Sequence, residues 1–384
     1  MKVACLTSFV PRGENVNGPS GLLYQTIRFR PTDVKLTVFV FGQENDDFRD
    51  LPEIVELTAS GVTFVRNLRK FGHVRRPFYW PKGARNIACF EIPDIDAFDA
   101  VWAYPYWFAP FVRNCGKSML ISGMDCASLL YWRKLKWADV RNPKQYLRTT
   151  VGLLANVLFE LAYLRNCHVH VVGAADARLL QWATARPKFI PHPFLAYPKT
   201  PSAPRPEDRP LTFLVSNAGD PIYGSRLFLY WLRDLYGATK NEPSIRLLIH
   251  KAAPDAAHAI GELSALNSNV VVEDIAWVDD YSAMLREVDI QLFPLDIGAG
   301  TKTSVLTALQ HGVRAVCTLV AAENVQANRF LFVVPGRSRD FRDSLHRAIT
   351  SVREGVSQLE PNELADHLPE TCSAIFWNHL KNAT

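Results

Sequence analysis

The sequence predicts an α/β protein of two successive doubly wound domains, and three observations lead there. Short β-rich runs alternate with helix-like segments from Met1 to about Phe194. A proline-dense stretch then interrupts the alternation, with seven prolines among residues 191–210. The same alternation restarts at Leu211. A chain of 384 residues, 48% hydrophobic and 21% charged, is long enough to bury two cores.

In chain order, KVACLTSF, VKLTVFVFG, GVTFV, DAVWAYP, SMLIS and HVHVVG read as strands, separated by helical patterns such as GLLYQTIRF and AADARLLQWATA. Strands that alternate with helices pair in parallel and are covered on both faces. Residues 1–194 form the first predicted domain. Residues 195–210 are a stiff linker, because proline at that density fits neither helix nor sheet interior. The second domain, 211–360, runs through LTFLVSN, a helix around SRLFLYWLRDL, SIRLLIH, a helix in AAHAIGELSAL, VVVEDIA and YSAMLREV to residues 290–318. There IQLF and VRAVCT are strands, Val305, Leu306, Ala308 and Leu309 share one side of a helix, and Gly312 stops it. Residues 361–384 are an amphipathic segment that returns to the first domain, with Pro369 breaking or starting its helix.

Composition narrows the function. Seven cysteines at wide spacing, none in a CxxC pair, suit reduced thiols and a cytoplasmic protein rather than a disulfide framework or zinc site. MKVACLTSFV enters a strand pattern directly, without the marks of a signal peptide. The longest apolar run, 151–164, contains Asn156 and Glu160 and is too short to span a bilayer. A net charge of +5 is mild for this length and implies no nucleic-acid partner. Residues 65–85 hold seven Lys or Arg and no acid, and 131–148 repeat the mixture of cations and aromatic rings. Such stretches suit an anionic membrane, with the protein peripheral on the cytoplasmic face of the inner membrane; a solvated basic face and RNA binding are the other readings.

The segment GAGTKT, 298–303, is the chemically informative one. A P-loop needs lysine directly after its second glycine, and Thr301 intervenes. A dinucleotide fingerprint needs a third glycine where Thr303 stands, although Glu323 lies near the place of a ribose-binding acid. A third reading uses the physics alone. Gly298 and Gly300 allow unusual backbone conformations, so the unpaired N–H groups of the next helix can face an anion. Thr301 and Thr303 add hydroxyls, and Lys302 a full positive charge. That is a phosphate site; the plain alternative is that Thr301 caps the helix and Lys302 is solvated.

Residues 269–318, from NVVVEDIAWVDD to GAGTKTSVLTALQHGVRAVCT, resemble the donor-binding half of the GT-B fold glycosyltransferases, specifically the retaining, glycogen-synthase-like group. KFIPHPF (188–194), TFLVSNAGDPIYGSRLFLYWL and NGPSGLL extend the likeness over nearly the whole chain. The resemblance implies two Rossmann-like domains facing across a cleft, and transfer of a hexosyl group from a nucleoside-diphosphate sugar, with UDP or GDP as its nucleotide. It implies no further cofactor and no metal. The acceptor it implies is a glycan or a lipid-linked molecule in cell-surface polysaccharide synthesis. Gly18, Ser20, Gly21, Gly298, Gly300, Thr301, Lys302 and Thr303 match the diphosphate-binding positions. Asn217, Tyr223, Arg226, Lys251, Trp277 and Val278 match the nucleotide-binding ones. Four positions depart from the family: Ala299 and Thr307 stand where it carries acids, and Asn217 and Tyr223 approximately where it carries Arg and Lys.

For chemistry the resemblance points to Asp125, after the strand SMLIS, as the carboxylate that orients or deprotonates an acceptor hydroxyl; the other reading is a helix N-cap. His192, in PHP at the domain hinge, is a second catalytic candidate or a buried structural histidine. DID at 94–96 precedes a strand and reads as a surface turn, not a metal site. Two further readings stay open: a catalytically silent GT-B binding or scaffold protein, and a sugar-nucleotide epimerase.

Overall fold

The computed structural model describes all residues except 14–17, 42–47, 68–93, 113–114, 124, 139–141, 184, 195–208, 217–224, 240–241, 243, 251–257, 259, 262–268, 276–277, 279, 336–339, 356–357 and 384, and the side chains of Ser225, Arg226 and Pro361. The chain divides into two compact units, Met1–Leu195 with Asp366–Thr384, and Ala196–Ala365. Most of the proline-rich segment, and nearly all of the basic stretch 65–85, lie outside the described residues.

The first unit is built on seven strands: β1 (Lys2–Thr7), β2 (Lys35–Phe41), β3 (Thr63–Asn67), β4 (Ala100–Tyr104), β5 (Ser118–Ser122), β6 (His168–Val171) and β7 (Arg186–Phe189). They pair in parallel in the order β3-β2-β1-β4-β5-β6-β7. Its helices are α1 (Gly18–Arg28), α2 (Pro52–Ala59), the single turn α3 (Ala109–Val112), α4 (Ala127–Trp137), α5 (Pro143–Tyr163) and α6 (Ala174–Trp182). Central strands such as AVWAY are buried at every position, which only a sheet covered on both faces requires.

The second unit repeats the plan with β8 (Leu211–Ser216), β9 (Ile245–His250), β10 (Val270–Ile275), β11 (Ile290–Phe293), β12 (Arg314–Thr318) and β13 (Leu331–Val334). The order is β10-β9-β8-β11-β12-β13, again parallel throughout. Its helices are α7 (Ser225–Ala238), α8 (Tyr281–Arg286), α9 (Thr303–Gln310) and α10 (Phe341–Arg353). Trp231 of α7 stacks on Phe341 of α10 at 4.4 Å in the core under the sheet.

In both sheets the chain starts in the middle and winds outward in both directions. The order therefore reverses between β1 and β4, and between β8 and β11. Ligands of such sheets collect beyond the strand C-termini at that reversal. The last helix, α11 (Pro369–Ala383), opens at Pro369, in the first turn, where the N–H has no intrahelical acceptor to lose. It belongs to the first unit. Phe376 and Trp377 pack on Trp102 at 4.6 and 5.9 Å, and the Trp377 indole donates to Thr26 O at 2.9 Å.

Candidate functional site

β11 ends at Phe293 and α9 begins at Thr303, so the loop carrying Gly298 and Gly300 sits at the reversal of the second sheet. Gly300 has φ +62°, a conformation that costs a side-chain-bearing residue about 1–2 kcal/mol. Gly298 is needed for space. A Cβ there would meet Lys302 Cε at 2.6 Å and Nζ at 2.8 Å, because the lysine side chain lies across the glycine. Its ammonium donates to the carbonyl of Ala299.

Lys302 is also the N-cap of α9, with no side-chain capping bond, and its carbonyl accepts from Val305 N at 3.1 Å. Thr301 is buried one residue earlier, so the reading of Thr301 as the cap is corrected: the backbone turns into the helix one position later. No acid lies in the first turn, and Thr303 opens it, its carbonyl accepting from Thr307 Oγ1 at 2.9 Å. The positive end of this helix is thus reinforced by a cation and opposed by no carboxylate in its own first turn.

Residues that the sequence did not single out hold this loop. Thr318, last in β12, donates to Leu295 O and accepts from Ala321 N at 3.1 Å. Asn324, at φ +67°, donates to Gly300 O at 3.3 Å. Beneath the reversal, Gln291 of β11 donates to Ser216 Oγ at 3.3 Å and Tyr281 Oη at 3.0 Å, while its buried Oε1 has no partner. A polar residue in an all-buried strand with Ser216 at the end of β8 was the available signal. Val278 lies between β10 and Tyr281, whose hydroxyl accepts from Gln291 of β11. Asn217, Tyr223, Lys251 and Trp277 lie outside the described residues, as does the Arg226 side chain in α7.

In the first unit, Gly18, Ser20 and Gly21 form the first turn of α1, after β1. Tyr104, ending β4, donates to Pro19 O at 2.7 Å, which fixes that helix start at the β1/β4 reversal. His192 follows β7 and is only 3% exposed. Its Nδ1 faces Pro193 O at 2.7 Å, its ring also hydrogen-bonds the Gly18 backbone, and its own carbonyl accepts from His367 at 2.8 Å. Burial pulls its pKa down to about 4, so the ring is neutral at pH 7.

Asp125 is exposed beyond β5, near enough to Tyr104 and Tyr106 for its charge to disfavour their ionisation. It does not cap α4. The N-cap is Cys126, whose N–H donates to the buried carboxylate of Asp176 in α6, while Glu160 of α5 accepts from Ser128 N at 3.1 Å. Burial raises the Glu160 pKa. The capping duty that Asp125 offered locally is carried by two acids from distant helices.

No protein-family profile and no curated protein sequence matches the chain. Solved structures do. α,α-Trehalose 6-phosphate synthase from Burkholderia multivorans superposes with a TM-score of 0.59 at 13% identity, covering 99% of this chain and 96% of that one. Sucrose-phosphate synthase from Thermosynechococcus elongatus gives 0.54 at 14% identity, covering 100% and 94%. The chain has the GT-B fold. Anabaena HepE in complex with UDP-glucose shares it with a TM-score of 0.52 at 12% identity, covering 100% of this chain and 97% of that structure. In this GT-B chain, the glycine loop follows β11 at the reversal of the second sheet, and Asp125 follows β5 in the first unit.

Proposed function

We propose that the protein is a nucleotide-sugar-dependent hexosyltransferase that works without a metal ion and with retention at the anomeric carbon. The observation that carries this reading is the start of α9: a glycine loop at a sheet reversal, a lysine at the cap, and no acid in the first turn. As the bond from the anomeric carbon to the diphosphate breaks, negative charge grows on the departing oxygens. Pre-oriented N–H groups and an ammonium stabilise that charge more than the ground state. Lys302 leaves Ala299 O to do this, exchanging a neutral acceptor for an anionic one.

The donor is a UDP or GDP sugar, held through the loop residues 298–303 and the nucleotide-binding positions of the second unit. The acceptor is a glycan or lipid-linked hydroxyl of cell-surface polysaccharide synthesis. Asp125 orients it, and the departing diphosphate, on the same face of the sugar, takes its proton as the new carbon–oxygen bond forms and the bond to the diphosphate breaks, as retention requires. His192 is assigned a positioning role in place of acid–base catalysis, since its buried ring hydrogen-bonds the backbones of Pro193 and Gly18 and so ties α1 to the β7 exit.

Calorimetric titration with UDP and GDP tests the donor site. Lys302→Ala should weaken the preferred nucleotide by about 1.5–3 kcal/mol, as for loss of a charged hydrogen bond. Unchanged affinity removes Lys302 from the site, and absence of any nucleotide binding or sugar-nucleotide turnover by the full chain leaves the binding-protein reading in its place.

A further inference from the structure

An amphipathic helix normally turns its apolar stripe inward. α5 does this with Phe159, and Gly152 lets the Tyr131 ring of α4 lie directly on its backbone, where a Cβ would come within 2.2 Å of the ring. Yet α5 carries a second apolar stripe. Leu147, Val151, Leu154, Leu158 and Leu161 recur at alternating spacings of four and three, which at about 100° per residue puts all five within an arc of about 80°. All are exposed, Leu147 at 64% and Leu154 at 57%. Tyr146 and, next to Tyr131 in α4, Trp132 are exposed as well, at 40% and 48%.

Apart from the buried Glu160, the charged residues of α4 and α5 have one sign. Arg133, Lys134 and Lys136 lie in α4, Lys144 and Arg148 in the first turns of α5, and Arg165 just past its end. Lys136 sits over the Trp132 ring at 5.3 Å and Lys134 over Tyr131 at 5.4 Å. Glu160 is the one acid within α4 and α5, and it is buried beneath Ser128. A four-three seam also fits a second copy of the same helix. Pairing two copies, however, would set the cations of α4 and α5 in one copy against those of the other. A surface of opposite charge with an apolar interior meets both requirements.

We propose that the α4–α5 pair docks flat on an anionic phospholipid bilayer, the five-residue stripe of α5 entering the acyl boundary while the surrounding lysines and arginines contact the headgroups. No helix among the described residues is long and apolar enough to cross a membrane, so the contact is with the surface. The proposal rests on this face of the first unit alone and is independent of the donor site.

Flotation of the full chain with vesicles tests it. Binding to mixed phosphatidylglycerol–phosphatidylcholine vesicles at low salt, with little binding to phosphatidylcholine alone, is expected. Lys144→Gln/Arg148→Gln should lower partitioning about 30-fold, at ~1 kcal/mol per cation near the surface. Leu147→Glu/Leu154→Glu should abolish it while leaving the circular-dichroism melt unchanged, since both side chains are exposed. The proposal is overturned if the wild type fails to float with the anionic vesicles, binds neutral ones equally, or keeps its binding in the leucine variant. It is overturned equally if light scattering shows a wild-type dimer that the leucine variant converts to monomer.

Discussion

α4 and α9 both begin one loop beyond the C-terminal end of a buried parallel strand, β5 and β11. Their N-termini nevertheless have opposite character. At α4, Asp176 and Glu160 take the N–H groups of Cys126 and Ser128, so two carboxylates already occupy the positive end of the helix. At α9 no acid stands in the first turn, and Lys302 adds a charge of the same sign as the helix end. The anchoring differs too. His170 holds the α4 entry, with its carbonyl accepting from Gly123 N at 2.8 Å and its Nδ1 3.1 Å from Ser122 Oγ. The α9 entry is strapped by Thr318 and Asn324. The fold supplies a helix N-terminus beyond both strands, and at α4 carboxylates from distant helices fill it.

The largest effect should separate the two ends by stability. Asp176→Ala leaves a buried N–H without its acceptor and should cost about 3 kcal/mol, read as a fall in the urea midpoint, with nucleotide affinity unchanged. Lys302→Ala should do the reverse, weakening nucleotide while changing the stability derived from the urea transition by less than ~0.5 kcal/mol. If Asp176→Ala weakened nucleotide as much as Lys302→Ala, the distinction between a closed and an open end would fail.

Acid should act next, on the anchor of the closed end. Burial pushes the His170 pKa down to about 3, so the folded state holds this ring neutral. A depressed histidine pKa means that the unfolded chain binds the proton first. Stability is therefore complete above the unfolded value, near 6.5, and declines as pH falls from there toward the folded one. At pH 5 the loss should be ~2 kcal/mol for this ring. His192, pulled down to about 4, adds a loss of the same sign. His170→Phe should flatten the dependence of the urea midpoint between pH 7 and 5; an identical slope in the variant would show that this ring stays unprotonated in both states or charges freely in the fold.

These contrasts mark what the sequence could convey. The strands were legible because a parallel sheet buries both faces, which leaves apolar runs such as AVWAY and the VACL of β1. The helix of 303–310 was legible from Val305, Leu306, Ala308 and Leu309 on one side and from Gly312, which takes φ +77° after the helix end. The caps of α4 were not. Glu160 lies 32 residues from Ser128, and Asp176 50 from Cys126, and no local pattern links them. Asp125 looked like a cap because it is the nearest acid. Nor could spacing show that Lys302 folds across Gly298 onto Ala299 O, since the loop's own turn brings those atoms together. The apolar run 151–164 was visible, but which of its residues face solvent depends on where α4 packs.

The smallest effect tests whether the open end is open because of its backbone or its lysine. Gly300→Ala keeps Lys302 and every hydroxyl but places a Cβ at φ +62°, a cost of about 1–2 kcal/mol if the loop holds its shape. If the loop relaxes instead, the carbonyl that Asn324 holds must turn, and the amides leading into Thr303 turn with it. Nucleotide affinity and the urea midpoint then divide the cases. A lowered midpoint with unchanged affinity means the loop kept its conformation at the cost of strain. A preserved midpoint with weakened affinity means the backbone amides, held in place by glycine, carry the anion contact alongside the ammonium. No change in either would show that the left-handed turn at Gly300 matters neither to the fold nor to the site.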